Sequence, residues 1–454
     1  MRFKVGPFSW LERNPKSFLF LTLGWAALVF AHYFSLHSFF DFSFLKTLRQ
    51  DAGHSNFSRA WDNLEKVLPI GIWNFAVLVS IWAWGRKICL WIGFPRISTA
   101  IDLAFQMAFG IILFNSLWLG LGLNGLWMTP IFLIVSSLLM GPALWDGLRL
   151  SRQRKKPKWP KAPVLWLAAP LGLAALILFL ALGQSLIPEV YFDGLVYHLS
   201  VLKFWQDRHG IVDFATHFES YYPFGAELYF LNGLWPFGGT DGDGAKLLNV
   251  AALGLTLLAA GGWVAEEAGA ALGCLTGAAV LFLPWVSSTV WTTQNEVVLA
   301  FFLLLFFYAL RRWTQGMTFS TRLPWALAVG LLGGAALTVK YTAIPAFAAA
   351  LVALFFENPK SFNRDRWKEW ALIKVMWLAA LGPWLLKNFI YTGNPIYPYL
   401  SQILGGRHLP PLRFRELMEN HESAFGTGMP FWKWPYELLA HHLDKTMGPL
   451  LFIF

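Results

Sequence analysis

Long apolar runs separated by polar connections dominate the chain. A spanning helix needs about 20 mostly apolar residues. Such runs are read at 17–36, 68–85, 99–121, 126–145, 162–186, 244–264, 270–286, 296–311, 323–339, 341–356 and 371–390, which predicts eleven spans. A twelfth apolar run opens at Gly448, and the sequence stops inside it at Phe454, so this span is expected to continue further. The first run, FLFLTLGWAALVFAHYF, is followed by no small-residue cleavage site and reads as a signal anchor. Residues 3–14 read as a short interfacial stretch.

Two connections, 187–243 and 391–447, break the pattern. Both are far longer than the roughly two to eight residues that usually join helices, and they are rich in aromatics rather than in Ser or Gln. In the first, Leu195, Leu199 and Leu202 recur at near-helical spacing with Tyr197, Phe204 and Trp205. Leu228, Leu231 and Trp235 do the same within 224–235. The spacing predicts two short helices lying flat in the interface, with their aromatics at headgroup depth.

Composition sharpens this to a fold class. Hydrophobic residues make up 56% of the chain and charged residues 14%, against about 25% charged in a soluble domain. So few charges cannot cover a water-exposed surface, and an all-α polytopic membrane protein is expected. Cys89 and Cys274 lie far apart in or beside apolar runs, which supports neither a disulfide framework nor a zinc knuckle.

The net charge of +10 reads as a topology signal rather than a nucleic-acid surface. With the N-terminus inside, the inner connections hold 22 of the 36 Lys and Arg, and the run RLSRQRKKPKWPK at 149–161 is the strongest element. Both long connections then fall outside. The expected organisation is a four-span extension, 1–161, followed by a membrane core, 162–454, with outer loops 187–243 and 391–447.

Candidate chemistry collects on that outer side. Asp193 precedes the first loop helix, either as a helix cap or as a carboxylate held at the membrane surface. Asn295 and Glu296 open the eighth span, Lys340 and Tyr341 sit in the turn between the ninth and tenth, and Lys387 and Asn388 close the eleventh. Ionisable groups near membrane depth are functional candidates, whereas a lone Lys near a helix end snorkels to the headgroups. Together these groups describe a basic floor under an acidic lid, suited to a lipid-linked phosphate. His198, His209 and His217, or His441 and His442, are too irregularly spaced to predict a metal site. No metal or cofactor is assigned, although a divalent ion is compatible with the residues. The small-residue runs GGWVAEEAGAALGCLTGAAV and ALAVGLLGGAALT read as tight helix packing.

The runs YFDGLVYHLSVLKFWQDRHGIV, YYPFGAELYFLNGL, TTQNEVVLAFFLLLFFYALRR, LTVKYTAIPAF and PWLLKNFIYTGNPIYPYL, taken in order, resemble the GT-C superfamily of membrane glycosyltransferases. The likeness is to the bacterial branch similar to protein O-mannosyltransferases and to the aminoarabinose transferase of lipid A, and it covers roughly 162–400. It implies a GT-C-like helical core, a polyprenyl-phosphate-linked sugar donor, an acceptor hydroxyl of unstated identity (glycan, lipid or protein), and an outer-face site in a bacterial inner membrane. By the same resemblance Asp193 is the general base, and Lys203 and Lys340 meet the donor phosphate with Lys387 as a third candidate. Tyr197, His198, Tyr222, Tyr341, Asn394 and Tyr397 line the cleft. Glu227 and Glu296 either contact sugar hydroxyls or supply charge at helix starts. The chain departs from the family in carrying four spans before the loop and in having Gly194 where a second acid is common. Those four spans are expected to dock a partner protein. Two other functions fit the composition: a catalytically silent GT-C-like subunit, and a lipid-linked sugar transporter. A transporter should carry charges in mid-span, and these spans are almost free of them.

Overall fold

The computed structural model describes residues 57–153, 168–237, 242–281, 283, 286, 289–407, 416 and 419. The expected spans at 17–36 and from Gly448, the stretch 3–14, the basic run beyond residue 153 and most of the second outer loop lie outside the described residues. Two compact units are distinguished. One is Lys66–Ala278 with Thr289–Phe425, which holds the helical bundle and the site described below. The other is Met1–Glu65, Ala279–Ser288 and Gly426–Phe454.

The helices are α1 (Phe57–Trp91), α2 (Thr99–Leu123), α3 (Thr129–Gln153), α4 (Ala168–Ser185), α5 (Leu199–Asp207), α6 (Gly225–Leu234), α7 (Asp243–Ala268), α8 (Ala270–Leu281), α9 (Glu296–Gln315), α10 (Phe319–Val339), α11 (Ala343–Glu357), α12 (Trp367–Thr392) and α13 (Ser401–Leu404). No strand occurs among the described residues. Seven helices (α1, α2, α3, α7, α9, α10 and α12) contain segments long and apolar enough to cross a membrane. The other expected spans in the described part are shorter apolar helices. Leu133, Ile134 and Leu138 of α3 and Leu378, Leu386 and Phe389 of α12 are exposed, as lipid-facing side chains would be. The protein is an all-helical, multi-pass membrane protein.

Lipid tails are as apolar as leucine, so spans associate through close packing and hydrogen bonds rather than through the hydrophobic effect. The small-residue runs serve that packing. A Cβ placed on Gly330, Gly333 or Gly334 of α10 would stand 2.5–2.7 Å from Met376, Trp377 or Ala380 of α12. Gly261 and Gly273 allow the same approach between α7 and α8.

The connections gather at two ends, as alternating helices require. At one end Ser98 Oγ donates to Glu266, which also takes Tyr308 and Arg312, while Trp313 and Arg322 bond Glu369. At the other end the chain after α5 returns against α2, where Ile211 N donates to the Gly122 carbonyl and Trp127 N to that of His209. The first long connection is ordered there, as expected. A single wide helical turn at Gly194–His198 runs into α5, whose Leu199, Val201, Leu202 and Trp205 are buried.

The second loop helix differs from the sequence reading. All ten residues of α6 are buried, and it packs among α2, α7 and α10, so its aromatics face protein on every side. Gly225 at its start abuts Thr338, and Gly233 near its end abuts Gly244. These two glycines let a short helix enter the bundle with its backbone against its neighbours.

Candidate functional site

The loop end of the bundle encloses a cavity of about 90 Å³. Its wall is built from four segments. The first loop contributes Tyr197, Tyr222, Phe224 and Glu227, the start of α9 contributes Asn295, and the turn between α10 and α11 contributes Lys340 and Tyr341. Tyr399, from the turn after α12, completes it. Five candidate residues scattered over 145 positions of sequence (Tyr197, Tyr222, Glu227, Lys340 and Tyr341) thus meet at one place.

Hydrogen bonds from distant segments fix this geometry. Glu189 is buried and holds both its own loop and the approach to α9: Val190 N and Tyr191 N donate to Oε1, while Thr293 N and Oγ1 donate to Oε2 at 2.7 and 2.9 Å. Asn249 Nδ2 of α7 donates to the carbonyls of Thr292 and Gln294. Lys246, also buried, donates to the Ile187 carbonyl. Asn115 Nδ2 of α2 donates to the Gly225 carbonyl at 2.6 Å.

Glu227 lies in the first turn of α6, and its carboxylate meets two side chains. His198 Nδ1 lies 2.5 Å from Oε1, and Asn295 Nδ2 donates to the same oxygen at 3.2 Å. Glu227 and His198 are each only 2% exposed. On the facing wall Lys340 Nζ donates to Glu296 Oε1 at 2.7 Å, in a half-exposed pair. Glu227 Oε2, Asn295 Oδ1, Glu296 Oε2 and the Tyr341 hydroxyl are buried with no hydrogen-bond partner among the described residues. Buried polar atoms are almost always paired, so four unmatched ones on or beside a single cavity mark a place for a hydrogen-bonding ligand.

The rings around the cavity stay neutral. Burial, reinforced by the fields of Asp193, Glu227, Glu296 and Glu219, raises the Tyr197 phenol well above its ordinary range. Burial likewise raises Tyr222, with Tyr399 and Glu219 adding to it, and it raises Tyr341 with help from Tyr399. Tyr399 lies between Tyr222 and Tyr341, with ring centres 6.0 and 5.8 Å away. Neutral phenols and flat ring faces suit a polyhydroxylated ligand with an apolar side.

Other candidates fall elsewhere. Asp193 is half-buried at the helical turn before His198, makes no side-chain cap, and does not line the cavity. It acts on the cavity through the field it exerts on Tyr197. Lys203 is 48% exposed and pairs with Asp207 at 2.7 Å, one turn along α5. Lys387 is 3% exposed, donates to the Ser220 carbonyl at 2.6 Å, and lies over the rings of Trp205, Tyr221 and Trp384 at 5.1–5.7 Å. Both Lys387 and Asn388, which donates to the Tyr221 carbonyl, staple the first loop to α12. Asn394 organises the turn after α12 through Tyr399, Gly405 and Ile396, and Tyr397 packs edge-on against Tyr221. Lys340 and Lys387 therefore do not form one basic floor, and of the three candidate lysines Lys340 alone lines the cavity. Among the described residues no three His, Cys, Asp or Glu side chains converge as metal ligands would.

Sequence reasoning passed over Glu189, Asn249, Lys246 and Tyr399. Only Tyr399 left a signal, as part of the quoted run after α12. The pairing of Lys203 with Asp207 was readable from its four-residue spacing.

Gly194 also has a structural reason. A Cβ there would stand 2.6 Å from Thr293 Oγ1 and 2.9 Å from the Glu189 side chain. Overpacking of this kind costs about 1–3 kcal/mol. Gly194→Ala should lower the thermal midpoint in detergent, and adding Thr293→Ala should restore part of it, because the two changes share one contact. An unchanged midpoint in Gly194→Ala would show that the loop seat is loose.

Neither a curated protein nor a solved structure matches the chain. Residues 165–439, more than half of the chain, match the family model described as a domain of unknown function (DUF8201), and the chain belongs to that family.

Proposed function

We propose that the protein is an inverting glycosyltransferase of GT-C type. It moves a sugar from a polyprenyl-phosphate donor to an acceptor hydroxyl at the outer face of a bacterial inner membrane. The observation that carries this reading is the cavity in which Lys340, Glu227 and four tyrosines converge at one end of a membrane helix bundle, with Glu296 paired to that lysine and acceptor atoms left unmatched.

In the reaction the acceptor oxygen attacks the anomeric carbon from the face opposite the phosphate. The new C–O bond forms as the bond to the phosphate oxygen breaks, and the electron pair leaves with the phosphate, so the anomeric centre inverts. Lys340 supplies the positive charge beside the developing phosphate anion, an interaction worth most in a site that excludes water. A carboxylate takes the hydroxyl proton, and the resemblance points to Asp193 for that role. The rings of Tyr197, Tyr222, Tyr341 and Tyr399 meet the sugar's C–H faces.

Two measurements test the reading together. Single cysteines in the described part of 190–240 should be labelled by an impermeant reagent from outside, and those at 150–153 only after permeabilisation. Labelled polyprenyl-phosphate sugars supplied to the protein in liposomes should transfer their sugar. Labelling of 200–237 from the cytoplasmic side would sink the reading. A correctly oriented, folded protein that transfers from none of the donors would favour the silent-subunit alternative.

A further inference from the structure

The geometry points to Glu227, rather than Asp193, as the group that accepts the proton of the attacking hydroxyl, with His198 and Asn295 as its positioning residues. This rests on the transferase reading above and names the base within it.

The carboxylates near the cavity differ in how their oxygens are occupied. Glu189 has both oxygens filled by four donors from Val190, Tyr191 and Thr293, so it is a tie rather than a reagent. Glu296 is paired through Oε1 with Lys340. Asp193 does not line the cavity. Glu227 alone combines wall position, near-complete burial and a divided carboxylate. Oε1 receives His198 and Asn295, while Oε2 is buried with no partner among the described residues.

That division has a chemical consequence. With Glu227 ionised, His198 Nδ1–H and Asn295 Nδ2–H both donate to Oε1 and fix the plane of the carboxylate. The second oxygen is then presented as a bare acceptor in a low-dielectric wall. An unmatched buried acceptor costs about 1–3 kcal/mol, and more when charged. A donor brought in by an occupant removes that cost. A sugar or acceptor hydroxyl is such a donor, and as its oxygen attacks the anomeric carbon its proton passes to Oε2. Glu227 ends as the neutral acid and the phosphate leaves with the electron pair, so the step balances with no further reagent. Asn295 Oδ1 and the Tyr341 hydroxyl, also unmatched on the wall, can hold neighbouring hydroxyls and orient the ring.

The test uses the full chain in liposomes, with polyprenyl-phosphate-linked [14C]glucose, mannose and arabinose as probes and bacterial membrane lipid extract as acceptor. Glu227→Gln keeps a carbonyl for His198 and Asn295 but puts an amide donor where the bare oxygen stood. It should reduce transfer about 10²-fold or more while equilibrium retention of the labelled donor changes less than about threefold, a modest shift on the scale of one hydrogen bond. Asp193→Asn should cost clearly less than Glu227→Gln, because Asp193 does not line the cavity. His198→Asn, whose amide can donate in place of Nδ1, should recover most of the activity that His198→Phe loses. A merely structural histidine would not show that recovery. If Glu227→Gln fails to fold, Glu227→Asp keeps the charge but withdraws the oxygen, and it should be folded and slow. Full transfer in a folded Glu227→Gln, with loss in Asp193→Asn, overturns the assignment and leaves the transferase standing. No transfer by the unmutated protein from any of the three donors overturns both.

Discussion

Lys340→Met should reduce transfer by about 10²- to 10³-fold, the loss expected when one preorganised partner of a developing anion is removed from a dry site. Methionine keeps the unbranched stem, so the turn between α10 and α11 retains its packing and the change is mainly one of charge. Among the described residues Lys340 is the only lysine on the cavity wall. Lys203 is held by Asp207 on an exposed helix face, and Lys387 lies within three aromatic rings. The matching changes at those two positions should therefore leave transfer within about tenfold, provided the fold survives, since neither can meet the phosphate as Lys340 does. Equal losses at all three would mean that the lysines act through stability and that none is a phosphate contact.

Glu296 adds a second arm to that test. Its Oε1 holds Lys340 Nζ at 2.7 Å, so a donor phosphate must compete with a carboxylate for the same ammonium. Opening the Lys340–Glu296 pair would release the cation to meet that phosphate. Glu296→Gln should accordingly bind donor at least as tightly as the unmutated protein. Weaker binding in Glu296→Gln would instead place Glu296 among the direct sugar contacts.

The spans were legible because their signal is local. Thr99–Leu123 begins where Ser98 caps it through a bond from Ile101 N, and the apolar run ends at Asn124. The loop helices were legible in position for the same reason, within two or three residues at most boundaries. The surroundings of α6 were not. Aromatic and aliphatic residues mixed in GAELYFLNGL suit a lipid-facing and a protein-covered helix equally, and the close glycine contacts at its two ends come from partners far away in sequence.

The gathering of the cavity was partly legible. Alternating spans place the starts of some helices beside the ends of others, so Glu296, Lys340 and the first loop had to share a side. Which side chains face the cavity depends on partners far away in sequence. His198 is 29 residues from Glu227, and Thr293 is 104 from Glu189. Nothing in the local pattern separates Lys340, which lines a cavity, from Lys387, which closes a seam. Each is a lysine near the end of an apolar run, and tertiary contacts alone give them different tasks.

Arg322→Ala should cost about 3–5 kcal/mol, the usual consequence of stripping the partner from a buried charge. Glu369 is fully buried at the start of α12. It receives Arg322 Nε and Nη2 at 2.7–3.0 Å together with Trp313 Nε1 at 2.6 Å. This fork locks α9, α10 and α12 at the end of the bundle opposite the cavity. Arg322→Lys should recover only part of the loss, because a single ammonium cannot supply the fork. Arg322→Met combined with Glu369→Leu should recover more than either single change, since a neutral apolar pair carries no uncompensated charge. Denaturant unfolding of the purified protein in detergent reads all five variants, and a cost under about 1 kcal/mol for Arg322→Ala, the scale of an exposed pair, would show that the carboxylate is solvated. Donor retention by the folded fraction of Arg322→Ala should match that of the unmutated protein. None of the groups around Glu369 touches the cavity wall, so a loss of retention there would reveal coupling between the two ends that the packing of α10 transmits.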